Sequence, residues 1–226
     1  MLNKLTQIEN TGSPSNCNSI GEEIANSITH GIGAALSIGG LTILVILGAK
    51  YGDVWHIVSF SIYGGALVLL YLASTLYHSF QKPKVKRVFK FLDHAAIYVL
   101  IAGTYTPFML VNLRGPLGWS LFSTIWGLAI LGIIFKIFFL DKLEKLSLSI
   151  YLLMGWVCLF AAREMWIEIP IEGLLWLLSG GLIYTLGVLF FRWEKLPYNH
   201  AIWHLFVLGG SICHYFSILF YVLPKA

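Results

Sequence analysis

Seven apolar stretches fix what this chain can fold into, because about 20 apolar residues wound as a helix at about 1.5 Å per residue span the ~30 Å hydrocarbon core of a bilayer. They lie near Ile24 to Ala49, Val54 to Phe80, Phe91 to Val111, Leu117 to Leu140, Leu146 to Trp166, Gly173 to Phe191 and His200 to Leu223. The expected fold is therefore all-α, a bundle of seven transmembrane helices. Only 12% of residues are charged and mean hydropathy is +0.78, which excludes a soluble globular domain. Connections such as "KYGD", "LRGPLG" and "RWEKLPYN" are too short to hold another domain, so residues 20–226 read as one membrane domain. Residues 1–19 lack the apolar core of a leader and read as a flexible polar tail.

The formal charge of +4 matters through its sidedness. Of the Lys and Arg residues, eleven (Lys4, Lys82, Lys84, Lys86, Arg87, Lys90, Lys136, Lys142, Lys145, Arg192 and Lys195) fall on the side of the N-terminus, and four (Lys50, Arg114, Arg163 and Lys225) on the other. Basic loops stay inside, which predicts a cytoplasmic N-terminus and tail and an external C-terminus; the plasma membrane is the expected location of a multi-pass chain of this kind. No basic stretch sits on a soluble domain, so nucleic acid is excluded as a partner and membrane lipids are expected. Cys17, Cys158 and Cys213 have no CxxC spacing and imply neither a disulfide framework nor a zinc knuckle.

This topology brings polar groups from four helices to one depth at the cytoplasmic face. The second helix ends in "YLASTLYHSF", with Ser74 and His78; the third begins "FKFLDHAAIY", with Asp93 a turn inside. The seventh begins at "YNHAIWH", with His200 and His204, and the first enters as "GEEIANSITHG", with Glu22, Glu23, Asn26 and His30. Residues four apart share a helix face, so His200 and His204 can aim two imidazoles at one ion, and His78 supplies a third. A zinc ion on three histidines keeps a fourth position for water and lowers that water's pKa to about 7. Asp93 is placed to accept or orient the water's proton, and Ser74 to polarise a carbonyl or hold the water.

Each residue also has a plainer reading. An HxxxH pair at a helix end can anchor the interface, and a membrane serine commonly bonds backbone. An intramembrane acid such as Asp93 is costly enough to need a partner or a task. His30, with Asn26 and either Glu22 or Glu23 on one stripe, supports the ligands or forms a polar entrance. His56 lies at the wrong end, His94 points about 100° from Asp93, and His214 lies about 15 Å deeper than His204, as an interhelical hydrogen bonder or cavity wall. Pro107 in "AGTYTPF" should kink the third helix, with Thr104 and Thr106 near the freed backbone groups. The "QKPKVKRVFK" loop is first an orientation signal, then a candidate contact for anionic lipid.

The combination of "SxxxH" at Ser74–His78, "DHAAIY" from Asp93 and "HAIWH" from His200, on the second, third and seventh helices, resembles the hemolysin III family. That family groups with the progestin and adipoQ receptors and the alkaline ceramidases, a superfamily of membrane hydrolases. The resemblance runs from Glu22 onward and implies Zn2+ near the cytoplasmic face on His78, His200 and His204, with Asp93 reaching it through water and Ser74 in support. It implies ceramidase-like cleavage of a lipid amide or ester and a link to membrane lipid homeostasis. Two alternatives stand beside this hydrolase reading: a cytolytic pore-former, and a non-catalytic sensor of membrane state with structural zinc closed by His94 or Glu22.

Overall fold

The computed structural model describes residues 19–140 and 143–224. The expected tail, apart from Ser19, lies outside the described residues, as do Lys4, Cys17, Lys142 and Lys225. Helix α1 covers Ile20–Tyr51, α2 Val54–Ser79 and α3 Pro83–Pro107, which runs on as a π turn over Phe108–Asn112. They are followed by α4 at Pro116–Phe139, α5 at Glu144–Gly155, a 3-10 segment at Val157–Ala161 and α6 at Ala162–Glu168. The chain then forms α7 at Ile171–Phe191 and α8 at Asn199–Tyr221. Among the described residues, seven stretches are long and apolar enough to cross a membrane; the fifth, Leu146–Glu168, combines α5, the 3-10 segment and α6.

Four departures from the sequence reading have identifiable physical causes, three of them local. First, α1 starts a turn early because Ser19 caps it: its hydroxyl accepts the Glu22 N–H, and the Glu22 carboxylate accepts the Ser19 N–H. Second, the basic stretch read as a loop is helical from Pro83, since proline suits the first helical position, where no N–H is needed. Third, Pro107 lacks the N–H that would continue the ladder, and the chain answers with the π turn. Thr104 and Thr106 bond the Leu100 and Ala102 carbonyls. Fourth, the fifth span breaks after Gly155, and the Tyr105 hydroxyl fills the break. It lies 3.0 and 2.8 Å from the Met154 and Gly155 carbonyls and accepts the Cys158 N–H. Lys136, counted above with the loops, lies inside α4 and is buried, so one charge leaves the tally of the more basic side without changing the direction of the difference.

Helix α2 packs between α1 and α3, α3 also packs on α4, and α8 packs on α1 and α7. With no hydrophobic force between helices in lipid, close approach depends on small residues. A Cβ on Gly103 would stand 2.8 Å from that of Ala66, so this glycine lets α2 and α3 meet. Between the helices Phe60, Tyr63, Tyr71, Tyr98 and Phe108 are fully buried and fill the bundle centre.

Candidate metal centre

Three helix ends converge at one end of the bundle: the start of α1, the end of α2 and the start of α8. The "THGIG" of α1 permits this, because a Cβ on Gly33 would meet the Tyr71 ring at 2.6 Å. On the other flank Tyr198 takes a left-handed backbone (φ 57°) just before α8, and its N–H donates to Glu22 Oε1 at 3.1 Å. Glu22 thus caps α1 and ties the start of α8 to it.

His78, His200 and His204 come together, with one nitrogen from each within 4.8 Å of the others. Around a tetrahedral ion with bonds of about 2.0–2.1 Å such nitrogens stand about 3.3 Å apart, so small side-chain rotations would close the set. Hydrogen bonds elsewhere on two of the rings assign the tautomers. His78 Nδ1 is 2.7 Å from Glu23 Oε2, a contact that requires Nδ1–H and leaves Nε2 with a lone pair. His204 Nδ1 donates towards the Asn26 carbonyl and the Thr29 hydroxyl, each at 3.3 Å, which again leaves Nε2 free. His204 also stacks on His30, ring centroids 3.5 Å apart and planes 10° from parallel, while His30 meets Tyr71 edge-on at 5.0 Å.

Whether an ion suits these residues can be judged from their unpaired atoms. Among the described residues, seven buried side-chain polar atoms have no hydrogen-bond partner, and five belong to this cluster: Asn26 Oδ1, His30 Nδ1 and Nε2, Ser74 Oγ and His78 Nε2. Leaving one such group unpaired costs about 1–3 kcal/mol, so their concentration marks a place where something other than protein completes the bonding. Three neutral imidazoles suit borderline divalent ions, zinc among them. The residues fit an ion of that class.

The remaining candidates divide. Of the two glutamates, Glu23 turns inward with Asn26 and His30, while Glu22 is spent on the cap and on Tyr198. The Ser19-x-x-Glu22 capping pattern was legible in the sequence and would have separated them. Ser74 is wholly buried one turn before His78. Asp93 is partly buried on α3, with Oδ2 3.4 Å from Nδ1 of His94, and that nitrogen donates to the Lys90 carbonyl at 2.8 Å. His214 bonds the Leu177 carbonyl on α7 at 3.1 Å, the interhelical role expected of it. Lys86 was not singled out. Its Nζ donates to Glu23 Oε1 at 2.9 Å, and the signal for it was Pro83, which starts a helix and so fixes the direction of Lys86.

Seven apolar spans and a buried three-histidine cluster at one end of the bundle define a polytopic membrane protein with a candidate metal centre. The sequence comparisons then give the family: the model for the Haemolysin-III related family matches residues 18–215, and the chain belongs to that family. Over 205 residues it is 57% identical to Hemolysin-3 of Bacillus cereus, covering 91% of this chain and 94% of that one. It is 51% identical to a Hemolysin-3 homolog of Bacillus subtilis, with 89% and 95% covered. It is 34% identical to the human Monocyte to macrophage differentiation factor, with 89% and 84% covered. No solved structure matches.

Proposed function

We propose that this chain is a zinc-dependent hydrolase of the plasma membrane that cleaves a lipid amide or ester, with His78, His200 and His204 holding the ion. The observation that supports it is the cluster of unpartnered buried polar atoms around three imidazoles. When bound, the ion supplies Lewis acidity and a water of lowered pKa. Ser74, buried and unpaired, donates its hydroxyl to the substrate carbonyl or holds the water, and Asp93 takes up a proton and returns it to the leaving group. Glu22, one of the residues that could close the ion, is engaged by Tyr198 and by the Ser19 cap, which favours an open fourth position over a closed structural ion.

A groove of about 300 Å³ between α1 and α2 is lined by His78 and Glu23 and by Ile20, Ile24 and Ile28 of the outward face of α1. Acyl chains would stay in lipid along those isoleucines while the scissile group approaches His78, the member of the cluster that lines the groove. The count of basic residues supports placing this end at the cytoplasmic face. The test is metal analysis of purified protein joined to untargeted lipid profiling. His204→Ala should lose both the stoichiometric ion and lipid turnover; full turnover without metal would overturn the reading.

A second reading, cytolysis, comes from the name of the Bacillus cereus relative. Against a pore through the bundle, its centre is filled by wholly buried aromatic side chains. Dye release from liposomes by purified protein would favour cytolysis.

A further inference from the structure

Glu23 uses both carboxylate oxygens, on two different helices. Oε2 accepts from His78 Nδ1 on α2 at 2.7 Å and Oε1 accepts from Lys86 Nζ on α3 at 2.9 Å. The carboxylate side chain is 11% exposed and the lysine 24%, so neither bond is a freely solvated surface pair. The Lys86 ammonium also lies 5.4 Å from the centroid of the Tyr77 ring, next to His78, and 3.5 Å from Gln81 Oε1. The lysine is thus gathered from several directions onto one carboxylate oxygen.

A carboxylate on the far nitrogen of a metal-binding histidine fixes its tautomer and ring direction and raises the basicity of the ligand. Glu23 can do this only while its own rotamer is held. Its neighbour Glu22 is held by the cap, but Glu23 points away from that cap towards α2, and among its described bonds the one from Lys86 fixes the second oxygen.

We propose that Glu23 and Lys86 act together as a positioning pair for His78, so that the first turns of α3, which also carry the exposed basic residues Lys84 and Arg87, set how tightly the three-histidine site holds its ion. The pair touches neither the ion nor the substrate. It acts through His78, and the proposal rests on the metal-binding half of the reading above, not on turnover.

The experiment is metal affinity in detergent or nanodiscs, by Zn2+ competition with a chromophoric chelator, together with the visible spectrum of the Co2+-loaded protein. Glu23→Gln puts an amide where two oxygens accept and should weaken Zn2+ binding about 10–100-fold, the range for such supporting groups. Lys86→Met keeps the stem and removes the donor, and should weaken binding by a smaller factor; Lys86→Arg should restore it. The Glu23→Gln/Lys86→Met double variant should be no weaker than Glu23→Gln alone, since the lysine acts only through the glutamate. The Co2+ spectrum should change for Glu23→Gln while helical content stays at the wild-type level. If Glu23→Gln fails to fold, the Lys86 series carries the test, and wild-type affinity in Lys86→Met overturns the pair. Wild-type affinity and spectrum in Glu23→Gln overturn it as well. Tight binding by wild-type protein with no lipid turnover defeats the hydrolase reading and leaves the pair standing. No binding by wild-type protein defeats both.

Discussion

Helix α2 carries an imidazole–carboxylate pair at each end, and the two pairs have the same length. His56 Nδ1 is 2.7 Å from Asp53 Oδ1, and His78 Nδ1 is 2.7 Å from Glu23 Oε2. Both histidines are buried. They part at the second nitrogen. His56 Nε2 reaches the Val222 carbonyl at 3.3 Å and ties α2 to the end of α8, whereas His78 Nε2 has no partner among the described residues. Nearby groups follow suit: Ser59 donates to the His56 carbonyl and Arg114 lies over the Trp55 ring, but Ser74 Oγ and both His30 nitrogens have no hydrogen-bond partner among the described residues. A buried histidine next to an acid is therefore no sign of a ligand site by itself. What the other nitrogen lacks is the sign.

The contrast can be broken most directly at the two histidines. His78→Ala should lower metal affinity by at least about 100-fold, beyond the 10–100-fold cost of losing a supporting group, whereas His56→Ala should keep full metal content by elemental analysis. Equal loss in both variants would erase the distinction. The stability of His56→Ala should fall by about 1–3 kcal/mol, because it leaves the Val222 carbonyl without its partner, as read by chemical denaturation in micelles.

The serines sharpen the same point at lower energy. Ser59→Ala should cost roughly 0.6 kcal/mol, the usual scale of hydrogen bonds between membrane groups. Ser74→Ala in metal-free protein should be neutral or slightly stabilising, since it removes a buried hydroxyl that has no partner. A clear loss at Ser74 would mean that the hydroxyl is satisfied by protein. The smallest effect is one of pH. Asp53 lies between α1 and α2, and the hydrogen bond to His56 holds its carboxyl below the usual range. A depressed carboxylate contributes stability above its unfolded value of about 3.9 and loses it as pH falls through the folded value. Denaturation at pH 3 against pH 5 should therefore show a small loss that Asp53→Asn removes.

Much of this was legible because membrane insertion is a one-dimensional constraint. Length and hydropathy placed all seven crossings, and the alternation of sides brought Ser74, His78, His200, His204 and the start of α1 to one depth. Depth alone does not say which way a side chain faces. Glu22 and Glu23 are equally deep and only the cap separates them. Asp93 shares the level of the cluster, yet its described contact is with His94. The break in the fifth span was invisible because its cause, the Tyr105 hydroxyl, lies about fifty residues earlier in the chain. Lys86 was missed because a run of positive charge reads first as topology.

The stack of His204 on His30 bears on the order of events in the cell. With one ring face against His30 and Nδ1 held by Asn26 and Thr29, His204 is kept in place by protein contacts alone. Small zinc domains need the ion in order to fold. Were the cluster to take up an ion, these contacts would let the helices pack first, so that loading would follow folding rather than drive it.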